Sequence, residues 1–169
     1  MADPISVRIA RPIDAPALIQ LQRQIATETT FMLLEPGEVP SNPKGLAAHL
    51  ADIEKRNNTA WFVAERGGET VGYLGADGGR LARNRACARI FLGVVKACWG
   101  QGVGRALFQA VEDWARGQGL RRLDLTVQTG NARGRALYER LGYEVEGRMR
   151  QSLLVDGEPV DELLMSKLL

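Results

Sequence analysis

The sequence is poor in cysteine and histidine and has no long apolar segment. Its 169 residues include two cysteines, Cys87 and Cys98, and one histidine, His49. A zinc site takes about four such ligands, so we expect no metal centre. We also expect both thiols to be free in a reducing compartment rather than paired in a disulfide framework. No apolar run approaches the ~20 residues of a membrane-spanning helix, and the first residues lack the apolar stretch of a signal peptide. A cytoplasmic protein without a membrane partner is therefore expected.

An excess of one charge is also missing. Lys and Arg number 22 against 20 Asp and Glu, which gives a net charge of +2. Such a balance argues against a dedicated nucleic-acid-binding protein. The arginines between 80 and 89 have no interleaved aromatic residues, so we interpret them as a solvated face. The apolar and charged fractions, 45% and 25%, are typical of one globular domain, which we expect to span residues 1–169.

Hydrophobic periodicity predicts a mixed α/β chain with the element order β α α β β β α β α β β. Asp14 and Asn42 are predicted to cap the first two helices. The segment 80–85 is left without an assignment. The predicted strands are 5–9, 59–65, 70–74, 90–95, 123–127, 143–155 and 160–168, and the predicted helices are 14–27, 43–55, 103–117 and 131–141. The strand 90–95 is expected to be buried on both faces.

The most informative segment is the glycine turn between the strand 90–95 and the following helix. Gly100, Gly102 and Gly104 precede a helix whose first backbone amides have no internal partner. Such amides, together with the helix dipole, hold a phosphate or pyrophosphate. The motif GxxxxGK[ST] is absent and GxGxxG fails in both frames, so neither a P-loop nor a dinucleotide fold is favoured. A turn without a ligand remains the structural alternative.

Two motifs resemble those of the GNAT N-acetyltransferases. The segment Gly100-Gln-Gly-Val-Gly104 is similar to the family's acetyl-CoA loop, except that Trp99 stands where the family has Gln or Arg. About thirty residues later, the segment from Asn131 to Tyr143 is similar to the family's downstream helix. The two motifs occur in the family's order and spacing, and the resemblance extends over the whole chain.

The resemblance implies a fold and a co-substrate. The expected fold is a single-domain α/β GNAT fold, with a mixed, mostly antiparallel twisted sheet of about six to seven strands and about four helices. The sheet is expected to be splayed where the pantetheine arm of acetyl-CoA inserts, along the backbone of residues 92–96. Arg133 is a further candidate for the phosphates. The implied acetyl-CoA contacts are Val94, Val95, Gln101, Gly102, Val103, Gly104, Arg105, Ala106, Asn131 and Tyr138.

The resemblance also implies direct transfer from the thioester to a primary amine in a ternary complex. Tyr138 stands at the family's position for the acid that protonates the leaving thiolate, and a phenol is a suitable donor to a thiolate. The strand before the glycine turn contains no acid, so a general base must come from elsewhere, act through water or not be needed. Glu35 is the candidate we name, with Glu38 beside it, in the loop between the first two helices. Packing alone is the alternative for Tyr138, and solvation for both glutamates.

Two other functions stay open from the sequence. The chain could be a non-catalytic acyl-CoA-binding or sensing module on the same fold, against which Tyr138 argues, or a nucleotide-binding regulator. A small amine or amino-acid-like metabolite is the first expected acceptor, followed by a protein amine and an amine-bearing drug. The closing hairpin around Asp156-Gly157 is the candidate contact of a homodimer.

Overall fold

The computed structural model describes residues 3–169, and the predicted element order is confirmed. None of the helices in this range is long and apolar enough to cross a membrane. The strands are β1 (Ser6–Ile9), β2 (Ala60–Arg66), β3 (Glu69–Gly78), β4 (Cys87–Val94), β5 (Arg122–Gln128), β6 (Glu144–Val155) and β7 (Glu158–Leu168). The helices are α1 (Ala15–Glu28), α2 (Pro43–Ile53), α3 (Val103–Gly117) and α4 (Ala132–Arg140).

The strands form one mixed sheet in the order β1-β2-β3-β4-β5-β7-β6. Every neighbouring pair is antiparallel except β4 and β5, which are parallel. A parallel pair needs a crossover connection, and α3 provides it. The expectation of a mostly antiparallel sheet with four helices is confirmed.

The helices cover both faces of the sheet. A Cβ on Gly72 would lie 3.0 Å from Val103 in α3, so this position of β3 faces α3. The next residue, Tyr73, points to the opposite face because side chains alternate along a strand. A Cβ on Gly93 would lie 2.5 Å from the Tyr73 ring and 3.1 Å from Ile25 in α1. The α1 helix and the α3 helix therefore pack on opposite faces.

The parallel pair β4–β5 separates along its length. Only Cys87, Ala88 and Arg89 of β4 pair with β5, although β4 pairs with β3 as far as Val94. A gap therefore opens between the carboxyl ends of β4 and β5, as the expected splay requires. The prediction that the strand 90–95 is buried on both faces is wrong, since Phe91, Leu92 and Val94 are only half-buried.

One predicted helix cap is wrong, one is confirmed, and the segment left without an assignment is now placed. Asp14 stands at the N-cap of α1, but its carboxylate makes no bond to that helix. It accepts instead from the guanidinium of Arg8 at 2.8 Å and from the amide of Arg11 at 2.7 Å, and the Arg8 hydrogen bonds are the main cause of the lowered pKa of Asp14. The segment 80–86 forms an exposed turn between β3 and β4. Asn42 does cap α2, with its Oδ1 accepting from the amide of Lys44.

Because β7 lies between β5 and β6, we expect substitutions at its buried and exposed residues to differ in their effect on the free energy of unfolding. Met165 in β7 has no exposed surface, whereas Leu168 near the end of the same strand is 75% exposed. Met165→Ala should lower the free energy of unfolding by about 2–5 kcal/mol, because it leaves a cavity in the core. Leu168→Ala, the matched control, should change it by less than about 0.5 kcal/mol. Urea unfolding measures both, and equal effects would contradict this placement of β7.

Candidate functional site

The gap between β4 and β5 exposes one edge of the β4 backbone. The amide of Val95 donates to the carbonyl of Val71 in β3 at 3.0 Å. Because the amides and carbonyls of successive residues point to opposite edges of a strand, those of Val94 and Leu92 face the gap. The carbonyl of Val94 accepts from the indole Nε1 of Trp99 at 2.7 Å. The amide of Val94 is therefore the hydrogen-bond donor that the end of β4 presents to the gap.

Trp99 has a second contact, with α4. The guanidinium carbon of Arg133 lies 5.4 Å from the centre of the Trp99 ring, a cation–π arrangement. A Cβ on Gly100 would lie 3.5 Å from Nη1 of the same arginine. Trp99 therefore keeps the charged guanidinium of Arg133 beside the glycine turn.

The start of α3 carries a row of free amides. The amide of Ala106 donates to the carbonyl of Gly102 at 2.9 Å, and the amides of residues 102–105 make no backbone hydrogen bond within residues 3–169. Gly100 and Gly102 have φ values of +74° and +90°, which side-chain-bearing residues rarely adopt. Free amides at a helix N-terminus bind anions, and the helix dipole adds to the attraction.

Not every residue of the predicted loop faces the anion position. A Cβ on Gly104 would lie 2.9 Å from Cδ2 of Leu137, so this glycine allows α3 and α4 to approach. The side chain of Gln101 braces the loop, because its Oε1 accepts from Arg66 of β2 at 2.5 Å and its Nε2 donates to Ala97 at 2.6 Å. The side chain of Arg105 is exposed. The amides of Val95, Gln101 and Ala106 are bonded within the protein.

Tyr138 lies inside the protein on α4. Its ring is 9% exposed and packs 5.5 Å from the ring of Phe108 and 6.4 Å from that of Tyr143. Burial raises the pKa of Tyr138 to about 12, so the phenol keeps its proton near neutral pH. Asn131 begins the helix as predicted, with its Oδ1 accepting from the amide of Gly134 at 2.9 Å.

The end of α1 and the residues after it cross the open end of the gap. The carboxylate of Glu28 accepts from the amide of Lys96, just beyond β4, at 2.6 Å. The carbonyl of Thr30 accepts from Nε2 of Gln128, the last residue of β5, at 2.9 Å. Residues 28–30, which we call the bridging segment, therefore connect the two separated strands at the mouth of the gap.

A cleft of about 470 Å³ opens beside the bridging segment. On its far wall, Nε of Arg148 donates to Asp161 at 2.5 Å, and the amide of Gln151 donates to the other carboxylate oxygen at 2.7 Å. The Gln151 amide and the Arg148 guanidinium hold the pKa of Asp161 below its usual range. The cleft is lined by Thr30, Gln128, Thr129, Gly130, Arg148, Val155, Pro159, Val160 and Asp161.

A second acid, besides the Glu35 named from the sequence, lies at the gap, and the role of Glu35 stays a prediction. Glu35 lies on the exposed loop between α1 and α2, where its amide donates to the carboxylate of Glu38. Glu28 instead contacts the end of β4. Its partner Lys96 is 68 residues away in the sequence, so no local pattern could have identified the contact.

Comparison with known proteins finds one matching family model. The model described as "Acetyltransferase (GNAT) family" matches residues 23–143. A solved structure, an acetyltransferase of the GNAT family from Streptococcus pneumoniae, superposes with a TM-score of 0.94 at 27% identity, covering 98% of this chain and 100% of that one.

Curated relatives of this chain are named as acetyltransferases. Mycothiol acetyltransferase of Beutenbergia cavernae is 33% identical over 70% of this chain, and the chain spans 41% of that protein's length. The L-methionine sulfoximine/L-methionine sulfone acetyltransferase of Pseudomonas aeruginosa is 28% identical over 86% of this chain and 84% of its own length.

The three tyrosines predict an unusual alkaline titration. Burial raises the pKa of Tyr73 and of Tyr138 to about 12, and raises that of Tyr143 as well. An unfolded chain loses the phenolic proton at about pH 10. The folded chain keeps the proton there, so the free energy of unfolding should fall as pH rises from about 10 to 12. Near-ultraviolet absorbance should show little phenolate in the native protein at pH 10. Ordinary titration of a tyrosine in the native state would contradict this burial.

Proposed function

Because the chain belongs to the acetyltransferase (GNAT) family, we propose that it transfers the acetyl group of acetyl-CoA to the primary amine of a small, amino-acid-like acceptor. The observation that carries the proposal is the gap between β4 and β5, with the Val94 amide at its end and the free amides of α3 beside it. A reducing cytoplasm, which fits the free thiols of Cys87 and Cys98, is the proposed location.

The amides of residues 102–105 would hold the pyrophosphate of acetyl-CoA. Arg133, held over Trp99, and the exposed Arg105 are suited to phosphate oxygens because a guanidinium forms paired, charge-assisted hydrogen bonds. The pantetheine arm would lie in the gap along β4, passing Val94 and Val95 on one side and the start of α4 at Asn131 on the other. In this arrangement Gln101 and Ala106 would support the loop rather than donate to the ligand.

The transfer joins the acceptor nitrogen to the acetyl carbon and breaks the carbon–sulfur bond. The Val94 amide would donate to the carbonyl oxygen as negative charge develops there. The leaving thiolate needs a proton, and Tyr138 is the proposed donor. Because its pKa is about 12, a stable tyrosinate is unfavourable. The phenol would therefore pass its proton to sulfur as it accepts one of the protons of the acceptor nitrogen.

The acceptor amine would bind in the cleft beside the bridging segment. Asp161 holds Arg148 through Nε, which leaves the terminal nitrogens of the guanidinium available for a second carboxylate. An acceptor with a carboxylate next to its amine fits this wall. The relatives that acetylate L-methionine sulfoximine and sulfone support an amino-acid acceptor.

Thiol release from acetyl-CoA over a panel of amines tests the proposal. The panel pairs each amino acid, including methionine sulfone, with its decarboxylated amine, and adds peptides with a free N-terminus. We expect kcat/KM to be about tenfold or more higher for the amino acid, the contribution of a hydrogen bond to a charged group. Calorimetric binding of acetyl-CoA without thiol release from any amine would favour the non-catalytic module. Tighter binding of ATP or NAD would favour a nucleotide-binding regulator.

The homodimer stays a prediction. The strand β6 is an edge of the sheet, and three of its apolar side chains, Val145, Met149 and Leu154, are 42–74% exposed. We propose this edge as the subunit contact, because an exposed strand edge can pair with that of a second copy.

Replacing Tyr138 by Phe tests the proposed acid. The variant keeps the buried ring and removes only the hydroxyl, so acetyl-CoA affinity should change little. The loss of a general acid should lower kcat by about 10²- to 10⁴-fold, measured where chemistry limits turnover. Tyr143→Phe is the matched control, since it removes a buried hydroxyl that has no partner within residues 3–169. A Tyr138→Phe variant as active as this control would leave Tyr138 a packing residue.

A further inference from the structure

The carboxylate of Glu28 is fixed at the mouth of the gap by contacts on two elements. Its Oε2 accepts from the amide of Lys96 at 2.6 Å, and its Oε1 accepts from Nε2 of Gln24, one turn earlier in α1, at 3.0 Å. The helix itself is anchored to the sheet by Ile25, which is 1% exposed. The position of Glu28 is therefore determined by the packing of α1 against β4.

This position lies between the donor amide and the cleft. Lys96 begins a short 3₁₀ turn after β4, but Val95 before it still has an extended ψ of 141°, so the Lys96 amide faces the same edge as that of Val94, about 6 to 7 Å away. Glu28 thus lies at the gap edge of β4, one step beyond the amide proposed to hold the thioester carbonyl. Two residues further along the bridging segment, Thr30 lines the cleft. An acceptor reaching from the cleft toward Val94 would pass the Glu28 carboxylate.

We infer that Glu28 binds the ammonium group of the acceptor and accepts the proton that this group must lose before attack. The inference rests on the proposed function and names the base that β4 itself does not contain. The charged residues on the elements that meet here are Lys96, whose backbone amide Glu28 accepts from, and Arg148 and Asp161, which line the cleft together with Thr30. Glu28 is half-buried, so water at the mouth can carry the proton away.

The proton balance assigns one proton to each end of the site. An amino-acid acceptor enters as R-NH₃⁺, and one proton passes to Glu28 and then to solvent. The neutral nitrogen attacks the acetyl carbon, forming the carbon–nitrogen bond as the carbon–sulfur bond breaks. The second proton leaves the nitrogen through the Tyr138 hydroxyl, whose own proton goes to sulfur. The products are the amide, the CoA thiol and one released proton.

Two substitutions at Glu28 separate charge from structure. Glu28→Gln keeps a carbonyl oxygen that can accept from the Lys96 amide but removes the negative charge, whereas Glu28→Ala removes both. We expect both variants to lose about 10²-fold in kcat/KM at pH 7, with unchanged acetyl-CoA affinity. The loss should shrink as pH approaches the pKa of the acceptor amine, because the amine then arrives neutral. Glu54→Gln, at an exposed end of α2, is the charge control and should match the wild type.

Several outcomes would overturn the inference. Wild-type activity in Glu28→Gln with a loss only in Glu28→Ala would mean that Glu28 merely holds the Lys96 amide. A loss that stays constant with pH would remove the proton role. A loss in Glu35→Gln with normal Glu28→Gln would assign the base to Glu35. If Glu28→Ala fails to fold, Glu28→Gln alone decides.

The acceptor used is the amine that gives the wild type its highest kcat/KM. Failure of the amino-acid proposal would therefore change the acceptor and not the comparison between variants. If the wild type releases no thiol with any of the amines tested, the proposed function is refuted and, with it, the role of Glu28.

Discussion

The early end of the pairing between β4 and β5 is the constraint on which the rest of the site depends. After Arg89 and Asp124 the strands separate, and the backbone groups on the facing edge of β4 lose their ladder partners. Backbone polar groups shielded from water need other partners. The Val94 carbonyl finds the Trp99 indole, and the Lys96 amide finds the Glu28 carboxylate. The Val94 amide is left between them as a donor to a ligand.

The same separation explains why elements distant in the sequence meet here. The bridging segment is held at both strands, by Glu28 beyond β4 and by Thr30 at Gln128. On the other side of β4, Trp99 links the strand end to Arg133 of α4. An aromatic residue at position 99 removes a polar side chain of the family motif but brings in an arginine from another helix. Each wall of the gap is thus fixed by a residue outside the sheet.

Much of the fold could be predicted because its signals are local. The amphipathic spacing of α3 and the Asp156-Gly157 turn need only neighbouring residues to be read. The splay could be expected only through the family resemblance, since nothing local says where β4 and β5 stop pairing. Asp14 looked like a helix cap, yet Arg8 competes for its carboxylate from a neighbouring strand. Gly104 was predicted as a ligand contact from the loop motif alone, whereas the close approach of Leu137 to the same residue could not be foreseen. In both cases the deciding neighbour belongs to another element of the fold, which the local sequence pattern does not show.

Burial divides the proposed proton chemistry between the two ends of the site. A buried phenol such as Tyr138 stays neutral because the low-dielectric interior disfavours its anion, as its pKa of about 12 reflects. Glu28, in contrast, is half-buried at the mouth of the gap, where water can reach its carboxylate. The proposed mechanism needs a neutral donor beside the leaving sulfur and a proton acceptor where the ammonium group enters. The fold supplies this separation by placing Tyr138 on α4, packed against Phe108, and Glu28 on the opposite face at the end of α1.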